Sequence, residues 1–136
     1  MATTYRTSSW SLDPPLGWTV EEHEEYISLT PPSHDAELRL TSFSVQDTGI
    51  DAARWIETAA NANRRMGRPV ATAVYGDFSG YSTEFTAIGK WFKGWVLRAD
   101  TFPLDVTYTC AAALVGRDEA DVAATLKTLR FHRAAV

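Results

Sequence analysis

The sequence predicts an α+β fold, an antiparallel sheet of about six strands flanked by two main helices, 51–66 and 118–129. Three observations predict it. Apolar residues recur at helical spacing in those two stretches, strand-like runs fill the chain before and between them, and short turn signals join neighbouring runs. At 136 residues, 45% hydrophobic and 22% charged, the chain reads as one soluble domain over 1–136, long enough to build its own core. No internal repeat or low-complexity stretch interrupts it.

The elements follow in order. "SLDPPLGW" (11–18) is a bend ahead of a strand, because paired prolines fix φ and remove two donors. "WTVEEHEEYISL" (18–29) reads as two short strands around an acidic hairpin tip. In "AELRLTSFSV" (36–45), Leu38 and Leu40 share one face and Phe43 and Val45 the other, which places a bulge or a change of burial near Thr41. The period then changes. A helical wheel gathers Ala52, Trp55, Ile56, Ala59, Ala62 and Met66 in one stripe, with Arg54, Glu57, Asn61, Arg64 and Arg65 opposite. Asp51 caps the start, and Gly67 followed by Pro69 ends the helix. Three strand-like runs come next: 70–87, interrupted near Gly76 and Asp77, then 91–99 and 104–115. Turns at 87–90 and 100–103 make them an antiparallel meander. In the last run Leu104, Val106, Tyr108, Cys110, Ala112 and Leu114 face one side, and Asp105, Thr107 and Thr109 the other. The final helix takes Asp118 as N-cap and carries Val122, Leu126 and Leu129 as its apolar stripe.

Composition excludes several functions. The net charge of −4 argues against general attraction to nucleic acid. Residues 1–50 hold eight acids and two bases, whereas 51–136 hold nine acids and eleven bases, an asymmetry that a solvated surface accommodates. With Cys110 as the one cysteine, an intramolecular disulfide and a thiolate metal site are both excluded. No apolar run approaches the roughly 20 residues that span a bilayer. "MATTYRTSSWSL" has no apolar export region, so the expected location is cytoplasmic.

The order of "PPLGW" (14–18), the acidic hairpin, "AELRLTSF" (36–43), one amphipathic helix, a long meander and "DVAATLKTLRF" (121–131) resembles the PsbP-like superfamily. That superfamily includes the extrinsic photosystem II protein, a Ran-binding nuclear import factor and many uncharacterised bacterial proteins. The resemblance covers nearly the whole chain. It implies an α/β/α sandwich and a binding or assembly role rather than an enzyme. No calcium or manganese motif and no Ran-binding surface carries over, so no cofactor is expected.

The candidate working surface lies in "IGKWFKGWVLRA" (88–99). In an extended chain Trp91, Lys93, Trp95 and Leu97 point one way, and Phe92, Gly94, Val96 and Arg98 the other. Trp91 and Trp95 with Tyr81 are expected to form an aromatic ladder on a partly exposed sheet face, edged by Lys90 and Lys93. Such a face suits stacking of a flat ligand, packing of a protein partner's apolar segment, or a second copy of the chain. The competing expectation packs both tryptophans under a helix, with the Lys93 stem along them. Two other function classes stand beside the binding module: a small-molecule or lipid carrier with a pocket between sheet and helix, and a hydrolase using Ser79 or Cys110.

Catalytic and metal signals are incomplete. His23–Glu24 begins like a zincin motif, but Ile27 stands where the second histidine is needed. "GDFSG" (76–80) puts Ser79 one position too late for a nucleophile elbow. Cys110 sits on the apolar face of its strand. Arg64, Arg65 and Arg68 complement the dipole at a helix end, and no Gly-rich phosphate cradle is present.

Overall fold

Short turns order the strands within each half of the main sheet, and one long-range pairing joins the halves. The structure, a computed structural model, describes residues 4–42 and 51–132. In chain order its elements are β1 (Tyr5–Arg6), β2 (Trp10–Leu12), β3 (Thr19–Glu22), β4 (Tyr26–Thr30), β5 (Ala36–Ser42) and α1 (Ala52–Arg65). They continue with β6 (Val70–Tyr75), β7 (Phe78–Ala87), β8 (Lys90–Ala99), β9 (Phe102–Ala111), α2 (Glu119–Leu126) and β10 (Arg130–Phe131). Seven strands form one antiparallel sheet ordered β3-β4-β5-β9-β8-β7-β6, and β1-β2-β10 form a second, three-stranded sheet. The α+β class is as predicted. The small sheet was not foreseen, because strands of two or three residues are too short to show alternation.

The run 70–87 splits at Gly76–Asp77 into the hairpin β6–β7. Gly76 takes φ 60°, and a Cβ there would stand 2.0 Å from the Leu129 carbonyl oxygen, so the turn accepts only glycine. The β5–β9 register runs unbroken from Ala36–Cys110 to Ser42–Leu104, so of the two expectations near Thr41 the change of burial holds and the bulge does not: Ser42 is exposed where Ala36, Leu38 and Leu40 on the same face are buried. Phe43 and Val45 lie outside the described residues. The run predicted to 115 leaves the sheet at Ala111 and closes in a 3-10 turn, Ala112–Leu114.

Alternation gives the sheet two different faces. One presents Leu29, Leu38, Leu40, Leu97, Leu104 and Val106 to the core shared with Val122, Leu126 and Leu129. The other carries α1 over β6, β7 and β8, where Phe85 and Phe92 stack with ring centroids 4.9 Å apart. Asp51 Oδ1 accepts the Arg54 N–H at 2.8 Å, the predicted cap. α1 buries Ala52, Ile56 and Ala60, a line rotated from the predicted stripe. Met66, at the C-cap where the chain leaves for β6, is 58% exposed. α2 ends at Leu126 rather than 129, because Thr128 and Leu129 donate to Thr125 and Leu126 carbonyls and tighten the last turn.

Candidate functional site

The register places the site. Lys93 on β8 stands opposite Glu84 on β7 and Tyr108 on β9, and Trp95 and Trp91 lie on the same face two residues to either side. α2 covers part of that face. Between Trp91, Lys93, Trp95, Tyr75 and Tyr108 on the sheet and Glu119, Val122 and Ala123 on α2 lies a groove of about 230 Å³.

Its walls differ in burial. Trp95 is 3% exposed; Tyr75 meets its ring edge-on at 6.4 Å, and the Lys93 Nζ lies 5.3 Å from its centroid. Trp91 is half-buried and meets Tyr108 edge-on at 6.1 Å. The expected open aromatic face is therefore a partly roofed groove, with Trp95 as core and Trp91 as its accessible wall. The structure brings Trp91, Lys93 and Trp95 together and separates the other two predicted residues. Tyr81 pairs with Val96, so it points to the opposite face, where its hydroxyl donates to Glu57 of α1 at 2.6 Å. That bond raises the Tyr81 hydroxyl pKa above its ordinary value. Lys90, exposed at the start of β8, also lies on that opposite face by alternation.

Charge rings the groove. Glu84 and Glu119 are exposed at its edge and Lys93 is half-buried within it, yet among the described residues no ion pair joins them. Behind Tyr108 runs a buried polar strut. The Tyr108 hydroxyl donates to Asp118 Oδ2 at 2.5 Å, and His34 Nε2 donates to the same oxygen at 2.7 Å. Ser33 Oγ contacts His34 Nδ1 at 3.0 Å. Burial, then the Asp118 bond, holds the Tyr108 hydroxyl well above the usual phenol range. Asp118 is 4% exposed and makes no side-chain cap bond to α2, contrary to expectation, because these two donors hold its carboxylate. The strut pins the start of α2 over the groove. Sequence reasoning missed it: His34 is 84 residues from Asp118, and only an acid at a helix start hinted at it.

The remaining candidates stay apart. His23 stacks on Tyr26 at 4.4 Å and lies 3.7 Å from Glu21, and no metal-holding cluster occurs among the described residues. Ser79 is exposed on β7, while Cys110 is buried opposite Trp91. His34 and His132 are committed to Asp118 and, at 2.8 Å, to Ser11. Arg68 sits 3.8 Å over the Phe85 ring, a local role. No described helix is long and apolar enough to cross a membrane.

No protein-family model matches the chain, and no curated protein matches it in sequence. Solved structures do. A crystal structure from Bacteroides thetaiotaomicron VPI-5482 superposes with TM-score 0.63 at 15% identity, over 91% of this chain and 45% of that one. This chain thus spans under half of that protein's length. The solution structure of cyanobacterial PsbP (CyanoP) from Synechocystis sp. PCC 6803 gives TM-score 0.60 at 10% identity, over 96% of this chain and 92% of that one. LpqN of Mycobacterium tuberculosis, described as involved in cell envelope biogenesis, gives 0.55 at 15% identity, over 97% and 86%. At such identities the likeness is one of fold. The chain has a PsbP-like fold, as its sequence suggested.

Proposed function

We propose that the protein is a non-catalytic binding module that seats one apolar side chain of a protein partner in the groove between β8 and α2. The groove's size and walls carry this reading. At about 230 Å³ it falls below the roughly 300–1,000 Å³ of drug-sized ligand pockets, which favours a single side chain over a lipid or a carried small molecule. Its centre is aromatic with Lys93 half-buried among the rings, and its rim holds Glu84 and Glu119, the pattern of an interface anchor edged by polar contacts. The partner-binding character of the PsbP-like resemblance points the same way.

Titration with N-acetyl-tryptophanamide and N-acetyl-leucinamide, followed by nuclear magnetic resonance, tests it. Saturable shifts are expected at the Trp91 indole, Tyr108 and Ala123, and they should vanish in an Ala123→Trp variant that fills the groove. Shifts that never saturate, or that persist in the filled variant, would overturn the proposal.

A further inference from the structure

β6 is one of the two edges of the seven-stranded sheet, and no other described element pairs with its outer side. Its bonding direction follows from its turn. β6 and β7 are joined by two residues, Gly76 and Asp77, so the closing pair Tyr75–Phe78 exchanges hydrogen bonds, and so do Ala73 and Ala71 with their partners. Val70, Thr72 and Val74 therefore direct their N–H and C=O groups away from the sheet.

Exposed edges are ordinarily blunted by charge, an internal proline, or a bulge. This one has none of these: its register to β7 is continuous, its six residues are uncharged, and Pro69 precedes the strand. Val74 is 73% exposed and Thr72 is also exposed, so α1 leaves this stretch uncovered.

The sequence of the edge says what fits it. Val70-Ala71-Thr72-Ala73-Val74 reads the same in both directions. Antiparallel pairing with a second copy, centred on Thr72, places Val70 against Val74, Ala71 against Ala73, and Thr72 against Thr72 of that copy. The same register makes the outward-directed residues hydrogen-bond one another, as the antiparallel ladder requires. On the α1 side it forms a column of β-branched pairs, Val–Val, Thr–Thr and Val–Val, with no like charges opposed. A two-fold axis through such a pair makes one closed, isologous contact.

We infer that the protein forms a homodimer through β6, merging two seven-stranded sheets into one. The axis runs perpendicular to the sheet, so both grooves open on the same side, each beside the Tyr75 that ends its own β6. The dimer would offer a partner two equivalent anchors.

Sedimentation velocity over a dilution series, together with amide hydrogen exchange, tests this on the full chain. The wild type should show twice its 15.1 kDa mass at high concentration, with Thr72 and Val74 amides protected and their protection falling on dilution. Thr72→Pro removes an outward donor and leaves the β7 ladder intact, as proline on edge strands does. Val74→Lys adds the charge the edge lacks. Both variants should sediment at 15.1 kDa with unchanged circular dichroism. A wild type that stays monomeric at high concentration overturns the inference, including one that binds extended peptides along β6 as a monomer. A dimer that survives both substitutions overturns it too.

Discussion

Truncating the two groove tryptophans separates the buried core of the groove from its accessible wall. Trp95 is 3% exposed, so Trp95→Ala removes a buried aromatic, a loss of about 3–5 kcal/mol. Within that figure, the edge-on contact with Tyr75 accounts for about 0.5–1.5 kcal/mol. The Lys93 ammonium over the ring adds about 0.5–1 kcal/mol. Trp91 is half-buried and meets Tyr108 along one edge, so Trp91→Ala should cost roughly half as much, about 1.5–2.5 kcal/mol. Both losses are measured by urea unfolding followed by far-ultraviolet circular dichroism, since each substitution removes one of the five tryptophans and alters the fluorescence signal. The denaturant slope should stay unchanged, which keeps the effect in the folded state. A third variant sharpens the comparison. The Trp95 indole N–H is buried without a hydrogen-bond partner among the described residues, so Trp95→Phe keeps a ring and discards an unmet donor. It should cost far less than Trp95→Ala. Equal losses for Trp91→Ala and Trp95→Ala would refute the division into core and wall.

Three further outcomes are expected. Ile88 stands at a fully exposed turn with φ 51°, a left-handed conformation that a β-branched residue adopts at about 1–2 kcal/mol, so Ile88→Gly should raise the thermal midpoint; an unchanged or lower midpoint would remove the strain. Tyr108→Phe leaves the buried Asp118 carboxylate with His34 as its one remaining side-chain donor among the described residues and should cost about 1–3 kcal/mol, and a double-mutant cycle with His34→Ala should show coupling rather than additivity. Burial raises the Asp105 carboxyl above its ordinary 3.8, so the folded state binds the proton more tightly than the unfolded chain, and stability falls as pH rises from 3.8 through the folded value. Asp105→Asn should therefore stabilise the protein at neutral pH and lose that advantage below 3.8; a pH-independent difference would contradict the assignment.

The parts of the fold visible in the sequence are those with a long period. Strand β9 alternates over ten residues and α1 repeats over fourteen, so class, order and turns were legible. The three-stranded sheet was not, because its strands are only two or three residues long and β10 reaches β2 from the far end of the chain. The site shows the same division. Alternation within β8 correctly placed Trp91, Lys93 and Trp95 on one face, whereas Tyr81 was misplaced because its face depends on the β7–β8 register, which pairs it with Val96. The roof over the groove was equally hidden. The sequence offered a helix for α2, but the strut from Asp118 to Tyr108 and His34 that fixes its start brings in His34 from 84 residues away.

The most direct test of the groove is photo-crosslinking in the living cell from a benzoyl-phenylalanine at Glu119, on the rim, with the same probe at Glu25, on the acidic hairpin, as reference. The proposed function predicts a discrete protein adduct from position 119, absent from position 25, and abolished by Trp91→Ala in a chain that still folds. An adduct pattern identical at the two positions, or one indifferent to Trp91→Ala, would contradict it.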